Sequence, residues 1–203
     1  MTNSGIVKHY LGNIQNLFLR SWHLLVSGDE EWKVVATEVD KDPFKSYVVP
    51  NIIICCVLSI ASGLFKNEHV FKLLLNPLII ATILFVTYFV ALYVSRIAVK
   101  KIYRIDIQKY SNVSIISYSM SVIFFVRMFL ALAPTFFFIR ALVLFIPYVL
   151  TYAIRAIMPV ENGSLDEQNH RNTYLLVVSV AIILTPTIME YIMKKIILNN
   201  FPL

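Results

Sequence analysis

The sequence predicts an all-α fold: a polytopic membrane bundle of five transmembrane helices, preceded by an N-terminal amphipathic interfacial helix. Its 203 residues are 58% hydrophobic and only 15% charged, whereas a soluble domain carries about 25% charged residues. The second observation is the stretch from Tyr110 to Ile154, whose only charges are Arg127 and Arg140. As one straight helix this stretch would be roughly 67 Å long, about twice the ~30 Å hydrocarbon core. It therefore crosses the membrane twice.

The bend between these two crossings is predicted at Ala131–Thr135, which contains Pro134. Three other long apolar stretches also meet the ~20-residue requirement for a spanning helix. The last of them is interrupted only by Glu190. The five predicted helices make up a transmembrane domain of residues 46–197, and they occupy residues 46–65, 73–97, 111–133, 134–156 and 173–194.

Residues 1–45 form a predicted cytoplasmic leader with two helices. Over 6–26 the apolar residues recur on one side and polar residues on the other, which is typical of an amphipathic helix of modest charge. We expect it to lie in the headgroup plane, with docking on a partner as the alternative. A short helix is predicted over 29–40, because acidic residues in its first turn suit the helix dipole. Its Trp32 is interpreted as an interface anchor.

The distribution of Lys and Arg over the loops predicts the orientation of the chain. Twelve of these residues fall on the side of the N-terminus and four on the other side, which places the N-terminus in the cytoplasm and the C-terminus outside. This topology also explains the net charge of +6, and no nucleic-acid partner is expected. Arg96, Lys100 and Arg104 form one basic stripe, which either contacts anionic lipid headgroups or simply retains its loop in the cytoplasm.

The chain carries no recognisable catalytic pattern. HExxH, GxSxG, Walker A, GxGxxG and EF-hand signatures do not occur. The four histidines are scattered, and no acidic pair lies within a predicted span. Cys55 and Cys56 are adjacent, without the CxxC spacing of metal or redox sites, and are interpreted as small apolar side chains. We therefore expect no enzyme, no metal and no cofactor.

Three charged residues lie inside the predicted spans, and all three are toward the outer leaflet in the predicted topology: Arg127, Arg140 and Glu190. A charge in hydrocarbon costs several kcal/mol unless it is paired or hydrated. We therefore expect a polar cluster in which Glu190 pairs with one arginine. The alternative is that both arginines snorkel outward as anchors. An α-helical fourth span would put Arg140 on the face of Pro147. A separate stripe of small residues on the third span is interpreted as a helix-packing seam: Ser114, Ser117 and Ser121.

Several short segments fit one known layout. They are Asp29-Glu30-Glu31-Trp32 in the leader, Ile116-Ser117-Tyr118-Ser119 in the third span, Pro147-Tyr148-Val149-Leu150-Thr151-Tyr152 in the fourth, and Met158-Pro159-Val160 after it. With five spans and short loops, this layout resembles the Yip-domain family of Ypt/Rab-interacting membrane proteins, in particular its compact bacterial members. The chain departs from the family at Ser117 and at Met120 and Ser121, where glycine and proline are frequent.

The resemblance implies a polytopic inner-membrane protein of bacterial type. The small-GTPase recruitment of the eukaryotic relatives does not carry over, because their long cytosolic leader and Asp-Leu-Tyr-Gly-Pro motif are not found in this sequence. We expect a non-enzymatic membrane protein that scaffolds or organises, as a trafficking-like component, with a protein partner or as a homo-oligomer. The alternative is a small transporter or lipid-handling protein that binds an anionic ligand at Arg127, Arg140 and Glu190.

Overall fold

The computed structural model describes residues 16–26, 28–37, 42–67, 69–103, 109–157 and 165–200. All secondary structure in these residues is helical. Within the described residues five helices are long and apolar enough to cross a membrane, which confirms the prediction of a helical chain with five such helices. By length and composition they are Phe44–Phe65, Val70–Lys101, Asn112–Leu132, Phe138–Ile157 and Gln168–Ile196.

Two short helices precede the five spans. Helix α1 covers 16–26 of the described residues, and α2 is Gly28–Thr37. The first part of the predicted amphipathic helix, residues 6–15, lies outside the described residues, so its placement in the headgroup plane stays a prediction. The remaining helices are α3 (Val49–Phe65), α4 (Val70–Ala98), α5 (Lys109–Ser119), α6 (Ser121–Leu132), α7 (Ile146–Ile157) and α8 (Leu165–Asn200).

The first and second spans include short π-helical segments. Phe44–Val48 is π-helical and leads directly into α3, and Val99–Tyr103 extends α4 in the same way. At the start of the first span the carboxylate of Asp42 accepts a hydrogen bond from the backbone N–H of Phe44 at 3.1 Å. This bond satisfies one of the N–H groups that have no partner inside a helix.

The turn predicted around Pro134 separates the third and fourth spans. Helix α6 ends at Leu132, and the backbone N–H of Phe136 donates to the carbonyl of Ala133 at 3.1 Å. Pro134 is therefore the second residue of a β-turn, a position that its fixed φ favours. Two further prolines inside spans, Pro77 and Pro186, lie within α4 and α8 without ending them, as is common in membrane helices.

The fourth span differs from the α-helix that was expected. Phe137–Phe145 is a 3₁₀ helix, and only α7 continues in α-helical form. A 3₁₀ helix turns 120° per residue instead of 100°. The expectation that Arg140 shares a face with Pro147 was therefore wrong, because five residues of 3₁₀ geometry follow Arg140 and shift the phase by about 100°.

The third span is the centre of the bundle. In its most apolar window 72% of the residues are buried, against between 22% and 39% in the other four spans. Tyr118 and Phe124 are among its large, fully buried side chains. Ser117 and Ser121 are also fully buried, and the Ser117 hydroxyl donates to the hydroxyl of Tyr88 on α4 at 3.4 Å. The serine stripe thus lies where other helices pack on the third span.

The two short helices pack on this central span. Trp32 of α2 is 0% exposed and meets the ring of Tyr118 edge-on, with centroids 6.2 Å apart. Arg20 of α1 lies 4.7 Å from the centroid of the same ring and pairs with Glu31 at 3.3 Å. A fully buried indole has no surface for lipid headgroups. The expectation of Trp32 as an interface anchor was therefore wrong, because the side chain packs inside the protein.

Candidate anion-binding site

An intramembrane ion pair joins the third and fifth spans. The Nη2 atom of Arg127 on α6 contacts the Oε1 atom of Glu190 on α8, and the two side chains are 18% and 23% exposed. Helix α8 packs mainly on α4 and α7, so these two long side chains bridge a gap. The pairing satisfies two charges that apolar surroundings would otherwise disfavour.

Arg140 lies on the 3₁₀ segment across the turn from Arg127, and its side chain is exposed. It lines the same two cavities as Arg127 and Glu190. Within the described part of the chain no carboxylate is in ion-pair range of Arg140. The structure therefore brings the three predicted residues together: Glu190 neutralises Arg127, while Arg140 has no carboxylate partner among the residues that the structure describes.

The first cavity, which we call the basic cavity, has a volume of about 340 Å³ and lies among α3, α4, α6, α8 and the 3₁₀ segment. Small residues on one face of α3 leave this space open: Ser59, Ser62 and Gly63. Lys66 and Lys194 join Arg127 and Arg140 in the lining, opposite the single carboxylate of Glu190. Among the described lining residues there are thus four cations and one anion, which favours an anionic occupant.

The second cavity, which we call the apolar cavity, has a volume of about 320 Å³. It shares Arg127, Arg140, Glu190 and Leu130 with the basic cavity, so the charged cluster lies between the two spaces. Its other lining residues are almost all apolar: Ile123, Val126, Val143, Leu144, Ile183, Pro186 and Thr187. The hydroxyl of Thr187 donates to the carbonyl of Ile183 at 3.2 Å, so it adds little polarity. Both volumes are at the lower end of those of small-molecule sites.

The other predicted site residues lie apart from this cluster. Arg96 and Lys100 are exposed at the end of the second span, where they remain available to lipid headgroups, while Arg104 lies outside the described residues. Cys55 and Cys56 are free thiols on α3. No group of three His, Cys, Asp or Glu that could hold a metal ion occurs in the described ranges.

One buried polar network was not predicted from the sequence. The hydroxyl of Ser95 on α4 donates to Oδ1 of Asn112 on α5, and the Tyr174 hydroxyl of α8 lies 2.6 Å from Ser95 Oγ and 3.2 Å from Asn112 Oδ1. All three side chains are buried. The network joins three spans at the end of the bundle away from Pro134, and both hydroxyls and the amide oxygen have partners, so its role is structural.

Comparison of the chain with protein-family models, with curated proteins and with solved structures finds no match.

Proposed function

We propose that the chain is a non-enzymatic integral membrane protein that binds an anionic group in the basic cavity, as a small transporter or lipid-handling protein does. One observation carries the proposal. Arg140 lines the cavity without a carboxylate partner among the described residues, beside an arginine that Glu190 already neutralises. A structural ion pair alone would not need this second arginine.

The charge distribution around the cavity supports this proposal. Lys66 follows the last residue of α3, and Lys194 lies one helical turn beyond Glu190 on α8. Both lysines are exposed, whereas Arg127 and Glu190 are largely covered. Positive charge therefore increases from the ion pair toward the end of the bundle. This excess of positive charge attracts an anion from the membrane surface to the mouth of the basic cavity, where Arg140 is within the lining.

Neutralising Arg140 tests the proposal. Arg140→Gln removes a charge-assisted hydrogen bond, which is worth about 1.5–3 kcal/mol, so we expect the affinity for an anionic lipid to fall about 10- to 100-fold. The matched control is Arg155→Gln, because Arg155 is an exposed arginine near the opposite end of the same span and lines neither cavity. Retention of phosphatidic acid by the purified protein, measured by native mass spectrometry, is the readout. Equal retention by the two variants contradicts the proposal.

A second candidate function is a membrane scaffold of the Yip-domain kind, in a bacterial inner membrane with a cytoplasmic N-terminus. The observation in its favour is that three segments of the resemblance, in the leader, the third span and the fourth span, contact one another, while Met158–Val160 lies outside the described residues. Trp32 of the leader contacts Tyr118 of the Ile116–Ser119 segment, and α2 packs on α7, which carries the Pro147–Tyr152 segment. A protein partner or a second copy of the chain would then bind the bundle. Affinity purification after cross-linking in membranes tests this, and a complex that survives Arg140→Gln supports it over anion binding.

A further inference from the structure

The charged cluster of Arg127, Arg140 and Glu190 separates two spaces of different chemistry. On one side the basic cavity carries two further cations, Lys66 and Lys194, together with serine hydroxyls. On the other side, apart from the shared charged cluster, the apolar cavity is lined almost entirely by hydrocarbon. The two spaces have similar volumes, about 340 Å³ and about 320 Å³. An anion such as free phosphate would favour the first of them, which carries the two additional cations.

The apolar cavity is bounded by side chains that face the membrane. Leu144, in its lining, is 71% exposed, and the neighbouring Phe145 is 51% exposed. Thr187 on the opposite wall is also exposed. An exposed apolar side chain in a spanning segment lies against lipid, because water is excluded at that depth. A hydrocarbon chain therefore reaches the apolar cavity sideways from the bilayer, without passing the charged residues.

We infer that the ligand is an amphiphile with a phosphate headgroup, whose head occupies the basic cavity and whose acyl chain occupies the apolar cavity. This inference rests on the proposed anion-binding function and names its ligand class. The guanidinium group of Arg140 suits a phosphate, since planar guanidinium groups bind phosphate oxygens bidentately. An acyl chain in the second space replaces an unfilled cavity with van der Waals contacts. Arg140 then contacts the headgroup at the boundary between the two cavities.

Filling the apolar cavity tests the inference without touching the charges. Val143 is half-buried and lines the apolar cavity but not the basic cavity. Val143→Trp therefore blocks the acyl chain and leaves the basic cavity open. The matched control is Ala141→Trp, since Ala141 is exposed on the same 3₁₀ segment and lines neither space. Thr187→Phe fills the same cavity from α8 and gives the answer if Val143→Trp does not fold. Its control is Leu184→Phe, which lies outside both linings.

The probes are phosphatidic acid, presented in phosphatidylcholine nanodiscs, and two ligands without acyl chains, glycerol 3-phosphate and inorganic phosphate. We expect phosphatidic acid to bind more tightly than either soluble phosphate. Val143→Trp should weaken phosphatidic acid at least about tenfold and leave glycerol 3-phosphate unchanged, whereas Arg140→Gln should weaken both. The control variants should bind like the original protein.

A failure of the amphiphile inference can be distinguished from a failure of the proposed anion binding. If soluble phosphate binds as tightly as phosphatidic acid, depends on Arg140, and is indifferent to Val143→Trp, the ligand is a free anion. The amphiphile inference is then overturned while anion binding stands. If phosphatidic acid binds the Val143→Trp and Ala141→Trp variants equally, the acyl chain does not use the apolar cavity. If no phosphate compound responds to Arg140→Gln, the proposed function itself is overturned, and the inference with it.

Discussion

Glu190 is the residue on which the charged cluster depends. It is the one acidic side chain in the described lining of either cavity, and it contacts the Nη2 atom of Arg127. Without it the Arg127 guanidinium would remain at the centre of a gap between α6 and α8 with no counter-ion. Removing one partner of a buried pair is more damaging than removing both, because an uncompensated charge is left behind.

The first prediction concerns this asymmetry. Glu190→Gln should destabilise the fold by about 2–4 kcal/mol, somewhat below the value for a fully buried pair because both side chains retain some exposure. The double variant Arg127→Gln with Glu190→Gln should recover part of that loss. Stability is measured by titrating the purified protein with dodecyl sulfate and following helicity by circular dichroism. Lys194→Gln, an exposed charge one turn away on α8, is the control.

A single variant as stable as the Lys194→Gln control would show that Arg127 needs no counter-ion. A double variant less stable than Glu190→Gln would show that Arg127 stabilises the fold through other contacts. Either result would contradict a stabilising role for the ion pair between Arg127 and Glu190. The proposed anion binding by Arg140 does not depend on that role.

At the scale of residues, the sequence predicts which charged side chains must pair inside apolar helices, and little else. Arg127, Arg140 and Glu190 could be grouped because charges in apolar helices must find partners, and because the turn at Pro134 brings the two arginines to similar depth. Lys66 and Lys194 were not assigned to the cavity, since charges at span ends are explained equally well by the membrane surface. The Ser95–Asn112–Tyr174 network depends on how the helices are rotated against each other, which hydropathy and spacing in one sequence do not reveal.

At the scale of elements, hydropathy predicts where helices run but not their hydrogen-bond pattern. The Phe137–Phe145 segment is as apolar as an α-helical span, and its 3₁₀ geometry could not be read from composition. Its longer rise, about 2.0 Å per residue, extends the chain between the turn and α7. The phase of Arg140 follows from this geometry, so its place between the two cavities is a property of the folded element.

The leader helices illustrate the same limit. Tryptophan is enriched at membrane interfaces, so a tryptophan near the first span was interpreted as an anchor. That residue is Trp32, and in the structure its indole is enclosed between α2 and the central span and is 0% exposed. Trp22 of α1, in contrast, is 46% exposed and meets Phe125 with ring centroids 5.6 Å apart. Residue type alone cannot distinguish these two environments.

The second prediction compares these two tryptophans. Trp32→Ala should cost about 3–5 kcal/mol, because a fully buried aromatic side chain leaves a cavity when it is truncated. Trp22→Ala, the control, should cost much less, since nearly half of its surface is already exposed. Unfolding in dodecyl sulfate, followed by tryptophan fluorescence of the remaining indole, measures both. If the two substitutions cost the same, α2 is not docked through Trp32 and the indole acts at the lipid surface instead.

At the scale of the whole molecule, the number of spans determines how the basic residues are distributed. Five helices long and apolar enough to cross a membrane alternate in direction, so the loop after α4 and the turn at Pro134 belong to opposite ends of the bundle. Arg96, Lys100 and Lys101 are at one end, while the basic cavity with Lys66 is at the other. Composition predicts the number of spans well, because a fold in water could not bury all five apolar stretches.

The last prediction tests this topology directly. In a background where Cys55 and Cys56 are replaced by alanine, Lys66→Cys and Thr135→Cys should react with a membrane-impermeant maleimide in intact spheroplasts, because both lie at the outer end of the predicted topology. Lys100→Cys should react only after lysis, since the excess of Lys and Arg retains its loop in the cytoplasm. All three side chains are exposed, so a difference in labelling reports the side of the membrane. Reaction of Lys66→Cys and Lys100→Cys under the same condition would mean that α4 does not cross the membrane. The predicted position of the charged cluster toward the outer leaflet would then be wrong.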